Sequence, residues 1–199
     1  MMVGHFVKRE DGLWGGGGRG LAYDYIMAGN GVWVESEGPL LAARVQVAAA
    51  VIKDLPPLEP KVVLRHGPIP GFLFKLALDA MLAHPTLELY TAVVWEGGEY
   101  HLKVPGQVRS EGGLHDIQLP PNRVLDLHSH ANMSAFFSGT DNHDEQGFQL
   151  YGVVGKLLEE PEIRLRVGLY GHFQAVRWGD VFTGPHLAMD MNDEREEER

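Results

Sequence analysis

Residues 123–130 read RVLDLHSH, and no other stretch limits the possible folds so strongly. A β-branched and leucine-rich run of this kind, bounded by polar segments, fits a strand in the middle of a sheet. Alternate side chains of a strand share a face, so His128 and His130 point the same way. The flanking segments supply partners for such a strand. KVVLRHG (61–67) reads as a short strand, and IPGFLFKLALDAMLAHP (69–85) as an amphipathic helix stopped by Pro85. TLELYTAVVWEGGEYHLKVP (86–105) reads as two strands around Gly97-Gly98, and a polar loop (106–116) leads on through IQLPPN. After the central run, SGTDNHDEQGFQ can open a helix with Ser138 as N-cap and Asp141 at N3. LYGVVGKLL and IRLRVGLYGHFQAVRW are further strands. The order β-α-β-β-β-α-β-β predicts a mixed α/β sheet with a helix packed on it.

The first 60 residues read as an N-terminal extension. GLWGGGGRG (12–20) is expected to be a flexible loop; it has neither the GK[ST] nor the preceding strand of a phosphate-binding loop. LAYDYIMAGNGVWVES alternates on both sides of Gly29-Asn30, which predicts a hairpin. PLLAARVQVAAAVIKD (39–54) has apolar residues at helical spacing after Pro39, and LPPLEP (55–60) is the natural linker. Residues 61–188 then form the main domain. Residues 189–199 are an acidic tail ending in the charge run DEREEER.

The chain has 199 residues, enough for one sizeable core, and its net charge of -10 argues against a nucleic-acid partner. No apolar run is long enough for a membrane span and MMVGHFVKREDG lacks a signal-peptide core, so the expectation is cytoplasmic, with no membrane partner. Nothing in the sequence sets an oligomeric state. Cysteine is absent, which leaves His and carboxylates as the ligands available to a transition metal. His128 and His130 on one strand make a preorganised pair, and Asp141, one turn into the next helix, can return as an oxygen ligand. Two His and one carboxylate leave a fourth position for water, the pattern of a catalytic zinc (Zn2+) site, where the pKa of the bound water falls to ~7. For HxH alone, two ordinary strand histidines are the simpler explanation.

His128, His130, Ser138 and Asp141 together spell H-x-H-x(7)-S-x(2)-D. This motif resembles the signature of the JAMM (MPN+, Mov34/JAB) zinc metalloproteases, and the likeness extends over roughly residues 61 to 178. HSHANMSAFFSGTDNHDEQG and LRVGLYGHF are most similar to a prokaryotic branch of that family, the PRTRC system A group. One departure is Ala131, where many members have proline; the position shapes a loop and binds no metal. The resemblance implies an MPN/JAB-type curved mixed β-sheet with packed helices, cytidine-deaminase-like, carrying the N-terminal hairpin-helix extension. It also implies one zinc per chain on His128, His130 and Asp141, Ser138 as a donor to the developing oxyanion, and a glutamate as general base and acid. Glu88, at the head of LELYTAVVW, is where the family places that residue; Glu96 and Glu99 flank two glycines and read as turn residues. Asp126 shares the histidine face and can serve either as an outer partner of a ligand or as the ion-pair partner of Arg123.

The function implied is a metallopeptidase or isopeptidase that cuts an amide after the C-terminal tail of a protein substrate, ubiquitin-like with a Gly-Gly end. Two rivals stand beside it: a non-catalytic MPN scaffold that binds partner proteins, and a metallohydrolase of another class, amidohydrolase or phosphoesterase. His143 and Asp144 read as exposed helix positions. Met133, Phe136 and Phe137, in the loop between ligands, can form a substrate wall or simply pack the loop down.

Overall fold

The structure, a computed structural model, describes residues 2–15, 17–110 and 113–192. Among these residues the chain is mixed α/β, mostly strands with few helices, and includes a curled half-barrel sheet. The expected charge run at 193–199 lies outside the described residues.

Six strands form the first sheet: β1 (Val3–Arg9), β2 (Gly12–Trp14), β3 (Tyr23–Ala28), β4 (Gly31–Glu37), β5 (Leu41–Ala49) and β6 (Lys61–Leu64). Their spatial order is β2-β1-β3-β4-β5-β6. The hairpin expected around Gly29-Asn30 is present, with Ala28 opposite Gly31. Part of the glycine-rich loop is strand: residues 12–14 pair antiparallel with β1, Val7 opposite Trp14.

The helix expected over 39–54 is instead β5, and no helix is present among the described residues of the first 60. Apolar residues at 41, 45 and 48 satisfy a helical period, but 41, 43 and 45 satisfy a period of two equally well. Leu41, Ala43 and Val45 face the core, while Ala48, Ala49, Ala50 and Val51 are exposed and offer a helix no continuous stripe to bury. Pairing with β4 on one edge and β6 on the other then settles the choice. The LPPLEP segment is likewise a loop within this sheet. Pro56 O accepts from Gly29 N at 2.9 Å, and Leu58 exchanges hydrogen bonds of 2.7 and 3.0 Å with the Asn30 side chain.

The second half continues with β7 (Ile69–Pro70), helix α1 (Gly71–Leu82), β8 (Tyr90–Glu96), β9 (Glu99–Lys103), β10 (Val108–Ser110), β11 (Gly113–His115) and β12 (Arg123–Ser129). It ends with helix α2 (Gly139–Asp144), β13 (Phe148–Gly155), β14 (Glu162–Leu169), β15 (His172–Val176), helix α3 (Trp178–Val181), β16 (Phe182–Thr183) and β17 (Met189–Asp190). The expected polar loop at 106–116 thus contains two short antiparallel strands, β10 and β11. The second sheet runs β15-β14-β13-β12-β8-β9, with β17 added beside β14. Strand β12 is central, as its composition requires, antiparallel to β8 and parallel to β13. The start of the expected acidic tail is docked: Met189 lies opposite Glu162, and buried Asp190 accepts from Trp178 N at 2.6 Å.

One core joins the two sheets. Leu41, Ala43, Val45 and Leu64 from the first pack with Phe74, Ala77 and Met81 of α1 and with Leu125, Leu127 and Leu150 of the second. No helix among the described residues is long and apolar enough to cross a membrane. Since Leu41 sits in this shared core, Leu41→Ala is expected to cost about 2–5 kcal/mol. Far-UV circular dichroism and tryptophan fluorescence should report a single, coincident unfolding transition displaced by that amount. Two separated transitions would mean that the sheets fold as independent units.

Candidate metal centre

The alternation along β12 sends Leu125 and Leu127 into the core and leaves Asp126 and His128 on the opposite face. His130 keeps the same direction one residue past the strand, because its N–H still pairs with Val154 O at 2.8 Å. The two imidazole Nε2 atoms lie 3.2 Å apart. Asp141 Oδ1 is 3.2 Å from His128 Nε2, and Asp141 Oδ2 is 3.9 Å from His130 Nε2. Around a four-coordinate zinc with bonds of 2.0–2.1 Å, ligand atoms stand about 3.3 Å from one another. The three groups therefore fit a metal ion of that size, and among the described residues they form a cluster able to hold one.

Their protonation suits the same task. Burial, with the charge of His128 added, pushes His130 down to about 4, so its imidazole is neutral at pH 7. Burial opposes ionisation of Asp141, but hydrogen bonding and charge from His128 and hydrogen bonds from Ser138 outweigh it and hold the carboxyl below its ordinary range.

Asp141 is delivered by α2, whose start is the expected one. Ser138 is the N-cap, its Oγ accepting from Asp141 N at 3.1 Å while Ser138 N donates to Asp141 Oδ2 at 2.5 Å. This reciprocal capping box ties down Oδ2 and leaves Oδ1 turned to His128. The loop between ligands is fixed by backbone bonds, Lys156 N to Met133 O at 2.8 Å and Leu157 N to Ala131 O at 3.0 Å. It lies so close to β13 that a Cβ on Gly155 would sit 2.4 Å from both Ala135 N and Met133 O, so only glycine fits there.

Glu88 lies two residues before β8, not within the strand, and lines the same cleft as His128 and His130. Buried Ser129 brings it there: Leu89 N donates to Ser129 Oγ and Ser129 N to Leu89 O, both at 3.0 Å. The Gln107 side chain grips the next residue, accepting from Tyr90 N at 2.8 Å and donating to Tyr90 O at 2.9 Å. Glu88, His128, His130, Ser138 and Asp141 thus line one cleft of about 700 Å³. Burial raises the Glu88 carboxyl above its ordinary value against the pull of His128. Glu96 and Glu99 sit apart at the β8–β9 turn, paired with Lys103 and His101.

Asp126 belongs to Arg123, which donates through Nε at 2.9 and 3.2 Å; Gln149 adds a contact at 3.5 Å. His143 and Asp144 are exposed and paired at 2.8 Å. Met133 and Phe136 line the cleft, the Phe136 ring standing edge-on to His130 at 4.7 Å, whereas Phe137 stacks on Arg166. Glu145 is a further cleft residue, one that no motif or spacing in the sequence marks. Burial pushes it up to about 7 although Arg166 holds it with bonds of 2.6 and 2.9 Å. The available signal was Arg166 itself, a cation in the otherwise apolar run LRVGLY.

The chain matches no protein-family model and no curated protein.

Ala131 adopts φ 49°, the left-handed region, where a proline ring locked near −65° has no place. The proline common at this position in the resembled family is therefore incompatible with this loop. Ala131→Gly should raise stability by up to about 1 kcal/mol through relief of the left-handed penalty, and Ala131→Pro should lower it by more. Thermal unfolding of the two variants checks both signs. A stabilised proline variant would mean that the loop has another conformation.

Proposed function

We propose that the chain is a zinc-dependent hydrolase of the JAMM type, with an MPN/JAB-like fold, that cleaves a peptide or isopeptide amide after the tail of a ubiquitin-like protein. The observation that carries this is the convergence of His128 Nε2, His130 Nε2 and the Asp141 carboxylate in one cleft with Glu88 and Ser138. The motif resemblance joins that cluster to a reaction class; the metal cluster alone is compatible with several.

Zinc held there supplies Lewis acidity toward water and toward a carbonyl. Glu88, partly buried on the cleft wall with its carboxyl raised by burial, takes the proton of the attacking water and returns it to the leaving amine. Ser138 donates a hydrogen bond from its hydroxyl to the oxyanion as it develops. Its Oγ already accepts from Asp141 N, and that bond uses a lone pair and leaves the proton free. Met133 and Phe136 form an apolar wall beside the ligands. A scaffold without catalysis would have no use for a carboxylate placed beside the ligands. Two-metal hydrolases require a second cluster of ligands.

Elemental analysis should find one zinc per chain in the wild type and little in His128→Ala or Asp141→Ala. Glu88→Gln is expected to keep its zinc and lose nearly all turnover. Zinc lost together with activity would make Glu88 a ligand, and full activity would remove it from the mechanism.

The substrate assignment has its own test. A tail entering between Met133 and Phe136 reaches the near-attack geometry most easily when its last residues lack side chains. Changing the final glycine of a ubiquitin-like fusion to valine should lower kcat/KM tenfold or more, about 1.4 kcal/mol in transition-state binding. Intact mass spectrometry of the two fusions measures this. Equal rates would discard the Gly-Gly preference and leave the metal chemistry standing.

A further inference from the structure

We propose that Arg166 is a positioning residue for the metal centre, holding in place the short helix that carries Asp141. This rests on the reading of His128, His130 and Asp141 as metal ligands. Helix α2 has six residues, none of them buried, so core packing does not fix it. Its capping box secures the first turn internally but does not attach it to the sheet. Arg166 makes that attachment. Its Nε and Nη2 donate to Glu145 Oε2 at 2.9 and 2.6 Å, and its Nη1 donates to Asn142 Oδ1 at 2.6 Å. Asn142 adjoins the ligand in sequence, and Glu145 N donates to Asp141 O at 2.9 Å.

The anchor itself is rigid. Arg166 is 6% exposed and sits in mid-strand, opposite Tyr151 of β13 and Ala175 of β15. Its guanidinium lies 3.8 Å from the ring centroids of both Phe137 and Phe173, which restricts the planar fork to one orientation. Phe137 immediately precedes the N-cap Ser138, so Arg166 contacts the segment both before and after the helix. Without the fork, α2 keeps its cap but loses its fixed place, and the Asp141 carboxylate no longer stays within reach of the two imidazoles.

The test is a zinc titration against a chromophoric chelator, with Co2+ spectra as a second probe of coordination. Wild type, Arg166→Gln, Arg166→Lys, Glu145→Gln and Asn142→Ala are compared, each also melted without metal. Arg166→Gln should raise the zinc Kd about 10–100-fold, as removal of an outer partner of a ligand does. Arg166→Lys should fail to rescue it, since lysine keeps the charge but lacks the fork. Glu145→Gln and Asn142→Ala, which remove one arm each, should give smaller rises and weaker Co2+ bands, and they carry the test if the Arg166 variants do not fold. A zinc Kd within twofold of wild type in the folded variants, even with lower melting temperatures, would reduce Arg166 to a structural role and overturn the proposal. Wild type that binds no zinc would overturn the metal reading beneath it.

Discussion

Strand β12 is hydrogen-bonded along both edges, to β8 on one side and β13 on the other, and the geometry of the cleft follows from that confinement. A strand paired on both sides can neither rotate nor slip without breaking two ladders, and a slip of one residue would exchange its faces. Leu125 and Leu127 are fully buried on the core face, so such a slip would drive His128 into hydrocarbon. Core packing thus fixes the direction of the histidines as firmly as any contact they make themselves. Ser129, between them, uses its inward side chain to pin the approach to β8 and with it Glu88. One strand therefore orients the two histidines and places the Glu88 carboxylate in the same cleft.

The first sheet has its place in the same arrangement. Its inward residues Val34, Leu41, Ala43 and Val45 share a core with Leu125 and Leu127, the face of β12 that looks away from the cleft. It covers the back of the sheet whose front carries the site. The contact continues at its rim, where Tyr25 and His172 meet at 3.2 Å and Tyr23 stacks on Tyr170. A sheet that carries polar groups on one face needs its apolar face covered, and these residues supply much of the cover.

What the sequence revealed, and what it concealed, divides along the range of the interactions. The central strand, the β3–β4 hairpin and the Ser138–Asp141 cap are local patterns, set by residues within a few positions of one another, and all are present. The identity of 39–54 was not local. Its leucine, alanine and valine spacing suits a helix or a strand, and pairing with β4 and β6 decided it. The cluster at the site was legible because ligand spacing on a strand and at a helix start is itself local. The grips of Ser129 on Leu89 and Gln107 on Tyr90 are side chain to backbone across 40 and 17 positions, and no periodicity announces them. Arg166 was conspicuous in an apolar run, but its partners Glu145 and Asn142 lie 21 and 24 residues away.

Electrostatics gives the cleft a preference of its own. Glu88, Asp126, Asp141 and Glu145 converge on it, and of these Asp126 has Arg123 beside it on the lining. Burial raises Glu88, Asp126 and Glu145 above ordinary carboxylate values, so the folded state bears a cost for keeping them together and ionised. A divalent cation between His128, His130 and Asp141 would offset that cost for the carboxylates near it. The gain is not confined to the three ligands, because α2 has no buried side chain and depends on its cap and on Arg166. Cation binding at Asp141 would add to the Arg166 anchor a second attachment, at the helix's N-terminal turn, coupling metal affinity to the order of the helix. At a metal concentration 100 times Kd, that linkage stabilises the fold by about 2.7 kcal/mol. The acidic wall, the exposed short helix and the His128–His130–Asp141 cluster are therefore coupled, so that a cation held there would both offset the wall's charge and fix the helix.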